Sequence, residues 1–206
     1  MSISKTKTIK CPDCNCDNKI TYWQSVNVDT DPETRELVKN GKLFQVKCKN
    51  CKKTFDIEYR FLYHDVINKF MIWYFPYGEH DLEKEIKKLN KEIDTIIHDN
   101  LRVVEGRKTF LEKIRIFEDG LNDIIIEVIK QIIYLNVEEE QIEIFYSEKK
   151  DDLLYLVLSN GFTATFPYSS YLDALKEMDY KQPKDFAIVN GKTLLNYIKL
   201  KKDNKD

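Results

Sequence analysis

Glycine and proline are scarce in this chain of 206 residues, at 6 and 5. So few of either leave little material for long flexible linkers. No run of about 18 apolar residues occurs, which excludes a membrane-spanning helix and with it a membrane partner. The opening MSISKTKTIK is charged but has no apolar stretch before a cleavage site. A secretory signal is therefore not expected, and a cytoplasmic location is. Net charge is also nearly absent: 33 basic and 35 acidic side chains leave −2. That excludes a chain basic throughout, and a long acidic tail. Cysteine is missing altogether after residue 51.

What remains suits a folded protein with a core: 42% of the residues are hydrophobic and 33% charged. At about 100–200 residues per domain, the length allows one or two domains. The five cysteines are Cys11, Cys14, Cys16, Cys48 and Cys51. Two Cys-x-x-Cys pairs stand out, Cys11-Pro12-Asp13-Cys14 and Cys48-Lys49-Asn50-Cys51. Each such turn aims two thiolates at one point, and two turns supply the four sulfurs of a tetrahedral Zn²⁺ site. Three alternatives compete. A disulfide framework needs an oxidising compartment. A thioredoxin-like motif needs one pair at the start of a helix, whereas both pairs here precede strand-like sequence. An iron–sulfur cluster uses four thiolates with other customary spacings. Cys16 is left over, as a spare residue, a substitute ligand or a redox-sensitive thiolate beside the metal.

The 33 residues between Cys14 and Cys48 exceed the plain four-cysteine spacing of about 15–20, so something is inserted. Asn18–Val28 reads as a strand. Asp31-Pro32-Glu33 starts a helix, with Asp31 as cap, Pro32 at the first position and Glu33 at the positive end of the dipole. Leu37 and Val38 give the helix an apolar side, Asn40-Gly41 closes it, and 43–47 returns as a strand. Asp29, Asp31 and Glu33 imitate a calcium loop, but Thr34 and Asn40 occupy its required Gly and Glu positions.

These residues bear a family likeness. The stretch from Ile9 to Pro76 resembles the CpXC domain. It is carried by Thr8-Ile9-Lys10-Cys11-Pro12-Asp13-Cys14, Asn27-Val28-Asp29 with Asp31-Pro32-Glu33, and Gly41-Lys42-Leu43-Phe44 ahead of Cys48 and Cys51. Leu62-Tyr63-His64-Asp65, Lys69-Phe70-Met71-Ile72-Trp73 and Pro76 complete it. Residues 110–130 look like the helical part that often follows this domain. The second pair departs from the motif by lacking the proline, which shapes the turn and is not a ligand. The resemblance implies a zinc-ribbon-like bacterial or archaeal protein and implies no activity.

Downstream, residues 55–59 and 61–63 alternate as strands, 65–68 turn, and Phe70–Phe75 reads as a buried aromatic strand. Base stacking is the sharper use for Trp73, Tyr22 and Trp23. Leu82, Ile86, Leu89, Ile93 and Ile96 recur at spacings of four and three, predicting an amphipathic helix over about 81–97. It lies on another element or forms a dimer seam. Gly106 marks a break before a helix over 108–117 with Phe110, Leu111, Ile114 and Phe117 inward. A second apolar helix over 121–134 carries Ile124, Ile125, Val128, Ile129 and Ile132. Strands at 141–146, 153–159 and 162–166 form an antiparallel meander around the Asn160-Gly161 turn. A helix at 169–178, a short strand at 185–189, a short helix at 193–199 and a frayed tail at 201–206 follow.

The expected fold is therefore α+β. Residues 1–79 form a zinc-ribbon-like β domain with an inserted helix. Residues 80–206 hold a helical segment (81–135) and a small antiparallel-sheet α+β domain.

Catalytic signals are thin. Gly191-Lys192-Thr193 resembles the end of a phosphate loop, but its first glycine position is Phe186. His64, His80 and His98 form no His-x-x-x-His or Cys–His pair; His64 beside Asp65 is the one candidate base, in a turn where a structural role competes. Glu138–Glu140 read as a solvated charge run. There is no serine nucleophile elbow. Four thiolates would close the ion to water, making zinc structural rather than hydrolytic. Residues 1–78 hold 13 basic and 9 acidic side chains, while 79–206 hold 20 and 26. Lys47, Lys49, Lys52 and Lys53 cluster at the second pair and could meet phosphates. The expectation is a non-enzymatic module binding an unidentified protein. Nucleic-acid binding by the basic ribbon is the alternative, and an enzyme of undefined class the remote one.

Overall fold

Phe70–Phe75 is apolar along its whole length and needs cover on both faces. In the computed structural model, which describes residues 2–78, 80–92, 100–137 and 141–199, it is an inner strand of a five-stranded sheet. The chain opens with β1 (Ile3–Lys10) and β2 (Asp17–Asn27), paired antiparallel from Ile3↔Ser25 to Lys10↔Asp17. The inserted helix α1 (Glu33–Lys39) follows, then a 3₁₀ turn over Lys42–Phe44. Next comes a small hairpin of β3 (Gln45–Lys47) and β4 (Thr54–Asp56). β5 (Phe61–Asp65) runs parallel to β2 and antiparallel to β6 (Phe70–Phe75). After α2 (Leu82–Glu92), β7 (Asn100–Glu105) adds parallel to β6. The sheet order is β1-β2-β5-β6-β7.

The chain divides into two units, Met1–Arg107 and Lys108–Asp206. The first therefore runs past residue 79, because β7 belongs to its sheet. Its core is aromatic: Phe44 meets Tyr59, Phe61 and Tyr74 with ring centroids 5.5–5.8 Å apart. Such ring pairs add about 0.5–1.5 kcal/mol each beyond their burial. Arg107 stacks its guanidinium 4.4 Å above Phe44 and pairs with Asp56 and Glu58.

Several local expectations need correction. Asp31 does not cap α1. Its carboxylate instead accepts from the Ser2 and Thr30 hydroxyls, tying down the N-terminus. The left-handed Gly41 (φ 75°) ends the helix segment as expected and leads into the 3₁₀ turn, so 43 and 44 precede the strand. β4 is only three residues long, and His64 lies within β5 rather than in a turn. β1 and β7 are additional strands. No residue of α2 is buried; the expected Ile93, Ile96 and His98 lie outside the described residues, as do Glu138–Glu140 and the tail.

The second unit follows from α3 (Arg107–Glu118) into α4 (Asp123–Leu135). The Asn122 side chain accepts from the Ile124 N–H and caps α4. Ile124, Ile125 and Ile129 are buried, whereas Ile132 is exposed. On α3 it is Glu112 and Lys113, rather than Leu111, that join Phe110, Ile114 and Phe117 inside. They belong to a buried ionic cluster. Lys113 reaches Asp123 (3.0 Å) and Glu127 (3.3 Å), and Lys130 reaches Glu112 (3.1 Å) and Glu127 (3.2 Å). Burial pushes the Glu112 carboxyl up, against the pull of Lys130.

β8 (Ile144–Lys150), β9 (Leu153–Leu158) and β10 (Thr163–Pro167) make the expected meander, in the order β10-β9-β8. The first turn is tighter than predicted: Asp151 and Asp152 both adopt positive φ, so β8 continues to Lys150. Positive φ at both central residues matches the twist of the flanking strands. α5 (Tyr168–Glu177) follows. The strand expected at 185–189 shrinks to a single bridge residue, Ala187, in a loop anchored by buried Phe186 and Val189. There the Ile188 carbonyl accepts from the Thr193 and Tyr197 hydroxyls, so it is satisfied without a ladder. The final helix is a single 3₁₀ turn, Leu194–Asn196. The molecule is thus mixed α+β, with a four-cysteine cluster in its β-rich part and a small antiparallel sheet towards its C-terminus. Among the described residues no helix is long and apolar enough to cross a membrane.

Candidate metal centre

The two cysteine turns are built alike. Each closes an antiparallel hairpin: residues 11–16 join Lys10 to Asp17, and residues 48–53 join Lys47 to Thr54. In the first, the Cys11 N–H donates to the Cys16 carbonyl (3.0 Å) and the Asn15 N–H to the Cys11 carbonyl (2.9 Å). In the second, the Cys48 N–H donates to the Lys53 carbonyl (2.8 Å) and the Lys52 N–H to the Cys48 carbonyl (3.1 Å). Asn15 and Lys52 hold matching positive φ, 55° and 66°. That left-handed residue reverses the chain once the two thiols have been presented.

These turns bring Cys11, Cys14, Cys48 and Cys51 together, with all four Sγ atoms within 4.8 Å of one another. Cys11 and Cys51 are 3.7 Å apart and Cys14 and Cys48 3.6 Å. A disulfide would need about 2.05 Å. A tetrahedral ion with metal–sulfur bonds of about 2.3 Å needs sulfurs roughly 3.8 Å apart. The contacts across the cluster thus have the spacing of a tetrahedral metal site. Cys11 and Cys48 are buried, and Cys14 and Cys51 are partly covered.

Hydrogen-bond donors surround the sulfurs. The Asn50 amide lies 3.7 Å from the Cys14 Sγ, and the Asn18 amide 3.7 Å from the Cys48 Sγ. The Cys16 N–H and the Asn50 amide hold the Cys14 thiol below its ordinary value. Burial opposes ionisation of Cys48, but the N–H groups of Cys51 and Asn50 outweigh it and bring that thiol down to about 6. At Cys51 the Lys53 N–H favours the thiolate, yet burial and the neighbouring thiols push it up to about 12. Like charges this close resist joint ionisation unless a cation sits among them.

Cys16 stands apart from this group. It occupies the place in the first turn that Lys53 occupies in the second, and its Sγ points to the Asp17 carbonyl at 3.6 Å. Burial pushes its thiol up, against the pull of Lys49. The four lysines are exposed but not equivalent. Lys53 pairs with Asp13 across the two turns (2.7 Å), and Lys52 donates to the Lys49 carbonyl (2.7 Å). Lys47 projects from β3.

The candidate base fares differently. Asp65 beside His64 is fully buried and engaged by Arg35 and Asn68. His80 packs edge-on against Phe75. Tyr22 packs on Tyr59 and Trp73 on Phe75.

Residues 9–130, more than half of the sequence, match the CpXC protein family. The chain belongs to that family. The CpXC region holds both cysteine turns and continues through β7 and α3 into α4, bridging the stretch between the two segments of likeness read from sequence. No curated protein and no solved structure matches the chain. Asn18 and Asn50 were not among the residues that sequence reading singled out. An asparagine beside a turn reads as turn or strand-edge chemistry, and only the folded arrangement aims its amide at a sulfur.

Proposed function

We propose that this CpXC protein binds one structural Zn²⁺ through Cys11, Cys14, Cys48 and Cys51 and serves as a non-enzymatic protein-binding or adaptor module. The carrying observation is the convergence of four thiols at tetrahedral spacing. Four thiolates fill the coordination of zinc, so the ion holds two hairpins together and activates no water. The binding free energy available to such small sites is about 10–16 kcal/mol, ample to hold short hairpins in place. Val66 and Ile67, exposed at the β5–β6 turn, support an adaptor role. Polyanion binding through Lys47, Lys49, Lys52 and Lys53 has less support, because Lys52 and Lys53 are engaged within and between the two turns.

Metal analysis of purified protein is expected to find one zinc per chain, lost on Cys48→Ser substitution. Affinity capture from the native cell is expected to retain a protein partner with the intact site and lose it with Cys48→Ser. Protein free of metal whose melting ignores chelators would overturn the zinc reading. Salt-sensitive capture of nucleic acid would overturn the adaptor reading.

A further inference from the structure

We infer that Asn18 is the positioning residue of the metal centre, a buried amide that holds the two cysteine turns in register and donates to the Cys48 sulfur. This rests on the zinc reading above. Asn18 is 3% exposed, and both ends of its amide are used. Its Oδ1 accepts from the Lys49 N–H at 2.9 Å, inside the second turn. Its Nδ2 donates to the Cys16 carbonyl at 2.8 Å, at the end of the first turn, and to the Cys48 Sγ at 3.7 Å.

Only one orientation of the amide satisfies these partners, since Lys49 offers a donor and Cys16 an acceptor. The backbone of Asn18 is itself fixed, paired with Ile9 in the β1–β2 ladder. One side chain on a rigid strand therefore sets the position of a turn 31 residues away. Its N–H also disperses charge on the Cys48 thiolate, as outer partners of metal ligands do.

Asn50 supplies the contrast. It makes the same kind of contact with Cys14 Sγ, at 3.7 Å, but is exposed. Water can replace the Asn50 amide, whereas nothing can reach the place of the Asn18 amide without opening the turns.

The test measures zinc affinity of the full chain by competition with a chromophoric chelator, and the sulfur-to-metal charge-transfer bands after Co²⁺ substitution. Two variants are used. Asn18→Leu removes both halves of the amide; Asn18→Asp keeps the size and the acceptor for Lys49 but loses the donor. Each is expected to weaken zinc about 10–100-fold. The Co²⁺ spectrum should remain that of four thiolates, with its charge-transfer bands shifted to lower energy because the sulfur has lost its donor. A role in packing alone would not move those bands. Asn50→Ala is expected to move both readouts in the same direction but by clearly less, because water can take the place of its exposed amide at the Cys14 sulfur. Wild-type affinity and band positions in either Asn18 variant, or an Asn50→Ala effect as large, would overturn the inference while leaving the zinc reading intact. A wild-type chain that binds neither ion would overturn both.

Discussion

Cys16 and Lys53 stand at the same place in two matching turns, and that equivalence says more about Cys16 than its chemistry does. Each contributes a carbonyl that the first cysteine of its turn binds. The backbone at that place is needed and the side chain is not. Cys16→Ser is therefore expected to keep full metal content by elemental analysis, whereas Cys11→Ser is expected to lose it. Gly106 poses the opposite case. At φ 81° an added Cβ would lie 2.1 Å from the Tyr77 ring. Tyr77 is 63% exposed and can swing aside, so the left-handed backbone sets the cost. Gly106→Ala should lose about 1–2 kcal/mol in denaturant titration, and removing the Tyr77 ring as well should not restore it. Tyr59 adds a pH dependence. Burial pushes its phenol up to about 12 from an ordinary 10. A raised phenol binds its proton more tightly when folded, so its contribution is complete below pH 10 and lost as pH climbs towards 12. Stability measured across that window should fall, and Tyr59→Phe should flatten the fall.

The helices and strands divide into those with a pattern and those without. β6 was legible because Phe70–Phe75 is apolar throughout, and five of its six residues are buried. The meander was legible from alternation and the Asn160-Gly161 turn. β1 was not: as the edge strand it fully buries none of its residues, and the side it half-covers carries Lys7 beside Ile9, so no apolar face shows in the sequence. β7 was hidden by Arg102, which interrupts the apolar Leu101, Val103 and Val104, yet is fully buried. A charge in the middle reads as surface until its surroundings are known. The same blindness applies to the Glu112–Lys113 pair on α3. At the candidate metal centre the grouping of the four cysteines was readable from their spacing, while the places of Asn18 and Asn50 were not, since amide-to-sulfur contacts carry no periodicity. α4 offers a test at this scale. Asn122 caps it through its side chain, and its own N–H donates to the Tyr171 hydroxyl. Asn122→Ala keeps the second contact and loses the first, so thermal or denaturant melts should register a cost of about 1 kcal/mol.

Across the molecule, the tryptophans are distributed unevenly in a useful way. Trp23 and Trp73 both lie in the first unit, and the second contains none. Chelation is therefore expected to shift the melting transition seen by tryptophan emission, while the far-ultraviolet signal of the helices in the second unit melts separately. Coincident, unshifted transitions would contradict a structural metal. The sheet order β1-β2-β5-β6-β7 has a further consequence, for the chain as it is made. All four thiols have been synthesised by Cys51, yet β7, the parallel partner of β6, begins about fifty residues later. At bacterial-to-eukaryotic elongation rates of ~5–20 residues per second, that is an interval on the order of 2–10 s. During it, a metal bound by the four thiols as proposed would already tie the growing chain at one end of the sheet. At the other, the aromatic edge of β6, complete only at Phe75, stays open for about the second half of that interval, until β7 is made.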